Sequence, residues 1–463
     1  MPDVLLTHGY FLWEDANERE IMKPYPPLGL LYLSAYLKRE GFAVEVFDTT
    51  FANRQDLVAR LHEGTPSVLG IYTNLMTRAN VVWLLRVARD AGWTVVCGGP
   101  ESASYAAEYL EHGAHAIVVG EGEQTMAELL TALVAGTVNE LHGVAGVVFK
   151  DTHGALITNE ARAQIRDLDS LPWPDREAID IGRYVDVWRT HHGMGSVNLI
   201  TARGCPYKCN WCSHATFGHS HRRRTPADCA DEVAYIVERF KPDQVWYADD
   251  VFTISHKWLF DYAAELRARN LRIPFETISR ADRLRKDEVF AALAEIGCYR
   301  IWIGSESGSQ RILDAMQRGI TVEEVQTATK AAQRHGIEVG MFLMWGYEGE
   351  TEDDIAATVE HVKVANPDIF FTTVSYPIKG TPYFDKLGDR LRVVADWADR
   401  TDRDFRIAGR HSRAYYAHAD AWLHADVAAH RLAPTDPVGA AKLRGDALAA
   451  REALRAVAHE VEA

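Results

Sequence analysis

Strand-like and helix-like segments alternate along the first 145 residues of this chain. Short apolar strand patterns recur, separated by segments with helical spacing, at residues 3–9, 43–48, 67–73, 94–99 and 115–120. Such βα alternation predicts a parallel, doubly wound sheet with helices on both faces. We therefore predict an α/β, Rossmann-like domain over residues 1–145.

In a doubly wound sheet the ligand crevice lies at the carboxyl ends of the strands. Glycine at these ends lets the backbone approach a ligand closely, although glycine is equally common in tight βα turns. The candidate ligand residues at or just beyond the predicted strand ends are His8, Thr73, Gly98, Gly99, Glu101, Gly120 and Glu121.

A second series of βα units begins after a segment of different character. Residues 146–157 have a hairpin pattern, and prolines flank Trp173, so we predict a linker over residues 146–195. Further strand patterns follow at about 196–202, 244–248, 274–279, 300–304, 339–344 and 370–375. Six such units predict a partial (β/α)6 barrel over residues 196–390, because a complete barrel has eight. Residues 391–463 are left as a short helical C-terminal tail.

Three cysteines form a C-x3-C-x2-C run directly after the first predicted barrel strand. Cys205, Cys209 and Cys212 thus lie at the carboxyl end of the barrel, where barrel enzymes hold their catalytic groups. Three thiolates can bind three irons of a [4Fe–4S] cluster and leave the fourth iron open for a reactant. The alternative is a zinc site completed by His214, although structural zinc ligands usually come as two separated pairs.

Charge and hydropathy exclude several classes of function. The chain has 50 basic and 65 acidic residues and a net charge of −15, which argues against nucleic acid as a partner and permits a cationic small-molecule substrate. No segment approaches the roughly 20 uncharged apolar residues of a membrane helix, and the start lacks a basic region. We expect a cytoplasmic protein without a membrane partner. The isolated Cys97, Cys229 and Cys298 are expected to be buried apolar residues.

With these motifs, the chain resembles radical S-adenosylmethionine (SAM) enzymes that carry an N-terminal cobalamin-binding-type domain. It is similar, over about residues 1–390, to the group of the anaerobic Mg-protoporphyrin ester cyclase and many C-methyltransferases. The resemblance implies that Cys205, Cys209 and Cys212 bind a [4Fe–4S] cluster and that SAM chelates its open iron. An electron from an external flavodoxin- or ferredoxin-type donor then cleaves SAM to methionine and a 5′-deoxyadenosyl radical, which abstracts hydrogen from the substrate.

The resemblance also implies SAM contacts at the ends of the barrel strands. A carboxylate or carbonyl near the SAM amino group would accept its hydrogen bonds. Each segment alone is also typical of a cap at the start of a helix. The residues implied are Trp211, Ala248, Asp249, Asp250, Glu276, Ser279, Arg280, Glu306 and Ser307.

The first domain departs from the cobalamin-binding pattern. Cobalamin domains that bind cobalt through histidine carry Asp-x-His-x-x-Gly after the first strand, whereas this chain has "THGYFLWEDAN" there. Relatives often have Gly-Gly-x-His where this chain has Gly98-Gly99-Pro100-Glu101. The corrinoid site is therefore either functional or vestigial.

Two reaction classes follow from that alternative. Without cobalamin, the resemblance to radical dehydratases of aminoglycoside pathways implies a lyase of natural-product biosynthesis that dehydrates or oxidises an amino-sugar-like diol. With cobalamin, it implies C-methylation or a porphyrin-type oxidative cyclisation. We expect the first, with methylation as the alternative. A non-enzymatic binding module whose barrel has lost its chemistry is a third hypothesis.

Overall fold

Two parallel sheets with flanking helices account for most of the regular structure. The computed structural model describes residues 2–63, 65–134 and 138–463. The strands are β1 Val4–His8, β2 Val44–Phe47, β3 Val68–Tyr72, β4 Thr94–Gly98, β5 Ala116–Val118, β6 Val147–Lys150, β7 Leu156–Thr158, β8 Ser196–Leu199, β9 Ala202–Arg203, β10 Arg222–Arg223, β11 Gln244–Tyr247, β12 Phe275–Ser279, β13 Cys298–Glu306, β14 Glu338–Trp345, β15 Ile369–Val374, β16 Leu391–Arg392 and β17 Arg406–Ile407. The helices are α1 Ala16–Ile21, α2 Leu28–Arg39, α3 Arg54–His62, α4 Arg78–Asp90, α5 Ala106–Glu111, α6 Gly122–Val134, α7 Ile181–His192, α8 Pro226–Phe240, α9 His256–Ala268, α10 Asp287–Glu295, α11 Gln310–Ala315, α12 Val322–Arg334, α13 Glu352–Ala365, α14 Pro382–Leu387, α15 Arg413–Leu432 and α16 Pro437–Ala456.

The first sheet has the strand order β2-β1-β3-β4-β5-β6-β7. Strands β1 to β5 are parallel, and β6 and β7 add to the edge as an antiparallel hairpin. The order 2-1-3-4-5 places a topological switch point between β1 and β3, where such folds open a ligand crevice. The predicted doubly wound sheet is confirmed, and the hairpin predicted at residues 146–157 forms as an extension of it.

Strand β1 shows why these strands are nearly all apolar. Val4 and Leu6 pack into one hydrophobic cluster, while Leu5 packs into another. Because alternate side chains of a strand point to opposite faces, both faces of the sheet are covered. A strand buried on both faces needs a continuous apolar run rather than an alternating one.

Local structure forms before α5 and within the predicted linker. Helix α5 begins at Ala106, and in the turn before it the backbone N–H of Ser102 donates to Thr73 Oγ1 at 3.2 Å. The segment expected to be an extended linker contains helix α7, which the sequence analysis missed. Its signal was the spacing of Tyr184 and Trp188, both buried on one helix face.

The second sheet has six parallel strands in the order β15-β14-β13-β12-β11-β8, as the predicted partial barrel requires. Its first strand ends at Leu199, earlier than expected, because Ala202 and Arg203 pair with β10 instead. The tail contains the long helices α15 and α16, preceded by a short antiparallel pair of strands, β16 and β17. The predicted fold class is thus confirmed.

The chain packs as two compact units. The first comprises Met1–Pro206, His214–Ala248 and Ala395–Thr401, and the second comprises Tyr207–Ser213, Asp249–Val394 and Asp402–Ala463. Within the described ranges, no helix is both long enough and apolar enough to cross a membrane.

Candidate functional site

Cys209 lies in the second unit between two buried arginines. Arg318 donates from an η nitrogen to Cys209 Sγ at 3.5 Å, and Arg280 does the same at 3.7 Å. All three residues are at most 8% exposed. Cysteine binds iron as the thiolate, and two guanidinium donors aimed at one sulfur complement the negative charge of such a ligand.

Each arginine is held in place by further contacts. Arg280 donates to Asp282 at 2.9 Å and to the carbonyl of Arg318 at 2.8 Å, and its guanidinium lies 3.5 Å from the ring centre of Tyr207. Arg318 donates to the carbonyl of Gly304 at 2.8 Å. The sequence analysis missed Arg318 because it follows a helix rather than a strand. Its sequence signal is the glycine after it, which marks a tight turn.

Glu306 ends β13 and faces the same arginines. Its Oε1 lies 3.6 Å from Arg318 Nε, and burial raises the pKa of its carboxyl although Arg318 and Arg280 act in the opposite direction. Its backbone is left-handed, with φ of 64°, an uncommon conformation for a residue other than glycine that is often found at functional sites. A Cβ at Gly304 would lie 2.6 Å from the side-chain ends of both Arg318 and Glu306, so glycine leaves room for both side chains in these positions.

The loop that carries Cys209 and Cys212 is fixed through the residues between them. Tyr347 donates from its hydroxyl to Asn210 Oδ1 at 2.8 Å, and the backbone of Asn210 bonds to Met316 and Tyr383. Trp211 packs against the same group of apolar side chains. Its Nε1 is buried without a hydrogen-bond partner among the described residues, so it is a donor available to a bound ligand.

Asp249 and Asp250 follow β11, at the carboxyl end of the sheet. Asp249 is buried and Asp250 is exposed. The pKa of the Asp250 carboxyl is raised because neighbouring protein removes water from it and because the Asp249 carboxylate repels its negative charge. Ser279, which ends β12, is hydrogen-bonded to Thr253 and is fully buried. Neighbouring carboxylates at this edge can accept hydrogen bonds from an ammonium group.

Two further predicted SAM contacts, Glu276 and Ser307, have hydrogen-bond partners within the protein. Glu276 lies near the amino end of β12, not at its carboxyl end, and accepts hydrogen bonds from Tyr299, Arg300 and Trp302 at 2.6 to 3.1 Å. The assignment to the strand end was wrong, because Glu276 lies three residues before the last strand residue, Ser279, and its carboxylate is occupied by partners on β13. The hydroxyl oxygens of Ser307 and Thr358 lie 3.3 Å apart. The Ser307 hydroxyl also accepts a hydrogen bond from the backbone N–H of Ser309, which directly precedes α11.

Cys205 and Ala248 belong to the first unit. The N–H of Ala248 donates to the carbonyl of Leu199 at 2.8 Å, so its backbone is fixed within the sheet. Gly204, directly before Cys205, has φ of 83°, and a Cβ there would lie 2.4 Å from the carbonyl of Ser220. Glycine therefore sets the turn from β9 into the cysteine run.

None of the six cysteines is in a disulfide bond. Among the described residues, no three His, Cys, Asp or Glu side chains are placed to hold a single metal ion. The rings of His214 and His219 have their centres 4.0 Å apart and are tilted by 32°. In a [4Fe–4S] cluster each cysteine binds a different iron, so its thiols need not meet at one point.

The first unit contains an apolar cavity, which we call the glycine-lined cavity. It lies against α2, α6 and the carboxyl ends of β3 to β5. Gly98, Gly99 and Gly120 line it, together with the apolar Leu33 and Met126. A mainly apolar lining is typical of a site for an organic ligand.

The polar residues predicted for that site are engaged in hydrogen bonds. His8 bonds through Nε2 to Asp48 at 2.9 Å, and its Nδ1 accepts from the backbone of Tyr10. Glu101 does not line the cavity but forms a buried ion pair with Arg78. Glu101, a candidate residue of the functional or vestigial corrinoid site, therefore lies outside this cavity.

Glu121 lines the cavity, but its carboxylate accepts from Arg203, Arg222 and the backbone of Ile165. The hydroxyl and the N–H of Thr73 both donate to the carbonyl of Gly98, and Thr73 lies outside the lining. Of the predicted residues, only the glycines and Glu121 line this cavity.

Two family models match parts of the chain. Residues 199–362 match the radical SAM superfamily. This segment is a radical SAM domain. Residues 19–130 match the B12 binding domain, a range that includes α2 and the ends of β3 to β5. The protein therefore combines a [4Fe–4S] cluster and SAM with a domain of the cobalamin-binding type.

Relatives of this radical SAM protein cover most of both chains. An uncharacterized methyltransferase of Pyrococcus horikoshii is 27% identical over 404 residues, which are 84% of this chain and 85% of the relative. The anaerobic magnesium-protoporphyrin IX monomethyl ester cyclase of Rubrivivax gelatinosus is 26% identical over 383 residues, which are 81% of this chain and 68% of the cyclase.

Solved structures share the fold of this radical SAM protein. The cobalamin-dependent SAM radical enzyme OxsB with aqua-cobalamin bound has a TM-score of 0.75 at 17% identity, covering 99% of this chain and 72% of that one. The radical SAM methyltransferase TsrM of Kitasatospora setae, with cobalamin and a [4Fe–4S] cluster bound, has a TM-score of 0.69 at 19% identity, covering 85% and 77%.

Proposed function

We propose that this protein is a cobalamin-dependent radical SAM C-methyltransferase. The observation that carries the proposal is the B12 binding domain match over a segment that contributes to the glycine-lined cavity. Relatives named as methyltransferases support it, including the cytidylyl-2-hydroxyethylphosphonate methyltransferase of Streptomyces wedmorensis, 26% identical over 418 residues. The expected dehydration without cobalamin has no comparable support, and the methylation alternative takes its place.

The cavity residues fit the flat, apolar base at the end of the cobalamin tail. Gly29 and Gly98 line the cavity without a side chain, and a Cβ would stand 3.6 Å from Tyr72 at Gly29 and 3.6 Å from Val118 at Gly98. Each glycine therefore keeps open space that a longer side chain would fill. Because both ring nitrogens of His8 are engaged, this residue is not offered to cobalt, which fits a corrinoid bound without an axial histidine.

The cysteine run and the residues after the barrel strands would hold the other cofactors. Cys205, Cys209 and Cys212 would bind the cluster, and Asp249 would accept a hydrogen bond from the SAM amino group. Trp211 Nε1 would donate to the adenine, because it is buried without another partner. When bound, the cofactors supply reductive cleavage of SAM and a methyl carrier, while the protein positions them and excludes water.

The substrate would be a small molecule, and an external low-potential donor of the flavodoxin or ferredoxin class would supply electrons. Cells that produce the intact protein, fed methionine with a trideuterated methyl group, should contain a metabolite three mass units heavier than in unlabelled cells. Cells that produce Cys212→Ala should lack it. A metabolite that forms only with the intact protein, has lost water and carries no label would contradict methylation and support dehydration instead. The binding-module hypothesis predicts no dependent metabolite of either kind.

A further inference from the structure

Cys209 lies in positively charged surroundings. Arg318 and Arg280 place N–H groups 3.5 and 3.7 Å from its sulfur. Arginine keeps its positive charge at all relevant pH values. Two permanent charges therefore lie next to one of the three thiolates that bind the cluster.

The surrounding protein holds both charges in position. Arg280 stacks on Tyr207 and bonds to Asp282, while Arg318 bonds to the carbonyl of Gly304. The guanidinium groups are almost fully buried, and low polarity around them strengthens their effect on a nearby charge. Asp282 and Glu306 offset part of the positive charge but do not contact the sulfur in any described interaction.

We propose that Arg318 and Arg280 are positioning residues that raise the reduction potential of the cluster through Cys209. Reduction transfers one electron from the external donor to the cluster and adds one negative charge to it. Fixed positive charge and hydrogen bonds to a ligand sulfur stabilise the reduced state more than the oxidised state. The two arginines thereby make the cluster easier to reduce before SAM is cleaved.

The test is an anaerobic potentiometric titration of the reconstituted holoprotein, without SAM, followed by electron paramagnetic resonance of the reduced cluster. Arg318→Gln should lower the midpoint potential by about 59 mV or more, a tenfold change in the equilibrium constant of a one-electron couple. Arg318→Lys should lower it less, because the charge is kept and the planar donor fork is lost. Arg285→Gln is the control, because that side chain is 64% exposed and pairs with Glu324.

Iron and sulfide content separates tuning from mere support of the fold. Full cluster content with an unchanged midpoint in Arg318→Gln and Arg280→Gln would overturn the proposal. Should the glutamine variants fail to retain the cluster, the lysine variants at both positions decide the matter. An unchanged midpoint in both lysine variants would also overturn it.

Discussion

Arg203 and Glu121 form a buried ion pair in which Arg203 donates to Glu121 Oε1 at 2.7 Å. Arg203 ends β9, two residues before Cys205, and Glu121 lies in the lining of the glycine-lined cavity. The pair therefore joins the strand that leads into the cysteine run to the proposed corrinoid site. Both residues belong to the first unit.

Removing the Glu121 charge should destabilise the first unit. Glu121→Gln removes the carboxylate that pairs with Arg203 and Arg222. Breaking such a buried ion pair lowers the free energy of unfolding by roughly 3 to 5 kcal/mol. Denaturant unfolding of the cofactor-free protein measures the loss. Glu128→Gln is the control, because its pair with Arg162 is 52% exposed on the glutamate side and should change stability by less than about 1 kcal/mol. Equal effects of both changes would contradict this account.

Cluster assembly should depend on three of the six cysteines. Alanine at Cys205, Cys209 or Cys212 should each abolish the brown chromophore or its ability to cleave SAM, because each thiolate binds one iron. Alanine at Cys97 or Cys298 should leave iron and sulfide content unchanged. Both are fully buried, and burial raises the pKa of each thiol, as expected for apolar packing residues. Loss of iron in either control variant would show that the ligand set is wrong.

SAM binding should be separable from the cluster. Asp249→Asn and Glu306→Gln should weaken SAM binding by about tenfold or more, equal to about 1.4 kcal/mol, while cluster content stays at the wild-type level. Equilibrium dialysis with the oxidised holoprotein measures the affinity. Glu276→Gln is the matched control, because that carboxylate is used by Tyr299 and Trp302. SAM affinity that falls only in the control would reverse the assignment.

The fold could be predicted because it depends on local patterns. The apolar run of β1, buried on both faces, and the cysteine run after β8 each carry their signal within a few residues. The arginines around Cys209 carry no such signal, because Arg280 and Arg318 meet it only through tertiary packing. Glu276 was misplaced because a strand pattern does not define its own ends within a few residues. The ion pair of Glu101 could not be predicted, since nothing in the sequence pairs it with Arg78.

The stability of the second unit should vary with pH through Glu350. Burial raises the pKa of its carboxyl to about 8, from a usual value near 4.5. Between these values the folded state binds more protons than the unfolded state, so the contribution of Glu350 to stability falls as pH rises from about 4.5 to 8. Glu350→Gln should therefore become more stable than the wild type as pH rises, when unfolding is measured at pH values across this window. Glu360→Gln, at an exposed pair with Lys363, should show no such trend, and a trend of equal size there would contradict the assignment.

Filling the glycine-lined cavity should block the corrinoid and spare the cluster. Gly29→Leu places a side chain toward a cavity wall formed by Tyr72. Corrinoid content, measured by absorbance after denaturation, should fall at least tenfold, while iron content is unchanged. Gly445→Leu is the control, because the space around that helical glycine is open. Unchanged corrinoid content in Gly29→Leu would place the ligand elsewhere.

The corrinoid content of the unaltered protein tests the central claim most directly. Protein produced anaerobically in cells supplied with cobalamin is purified, denatured and assayed for corrinoid and iron in the same sample. The account predicts about one corrinoid for each chain that carries a cluster. Chains with a full cluster and no corrinoid would contradict cobalamin-dependent methyl transfer and leave the first domain as a scaffold.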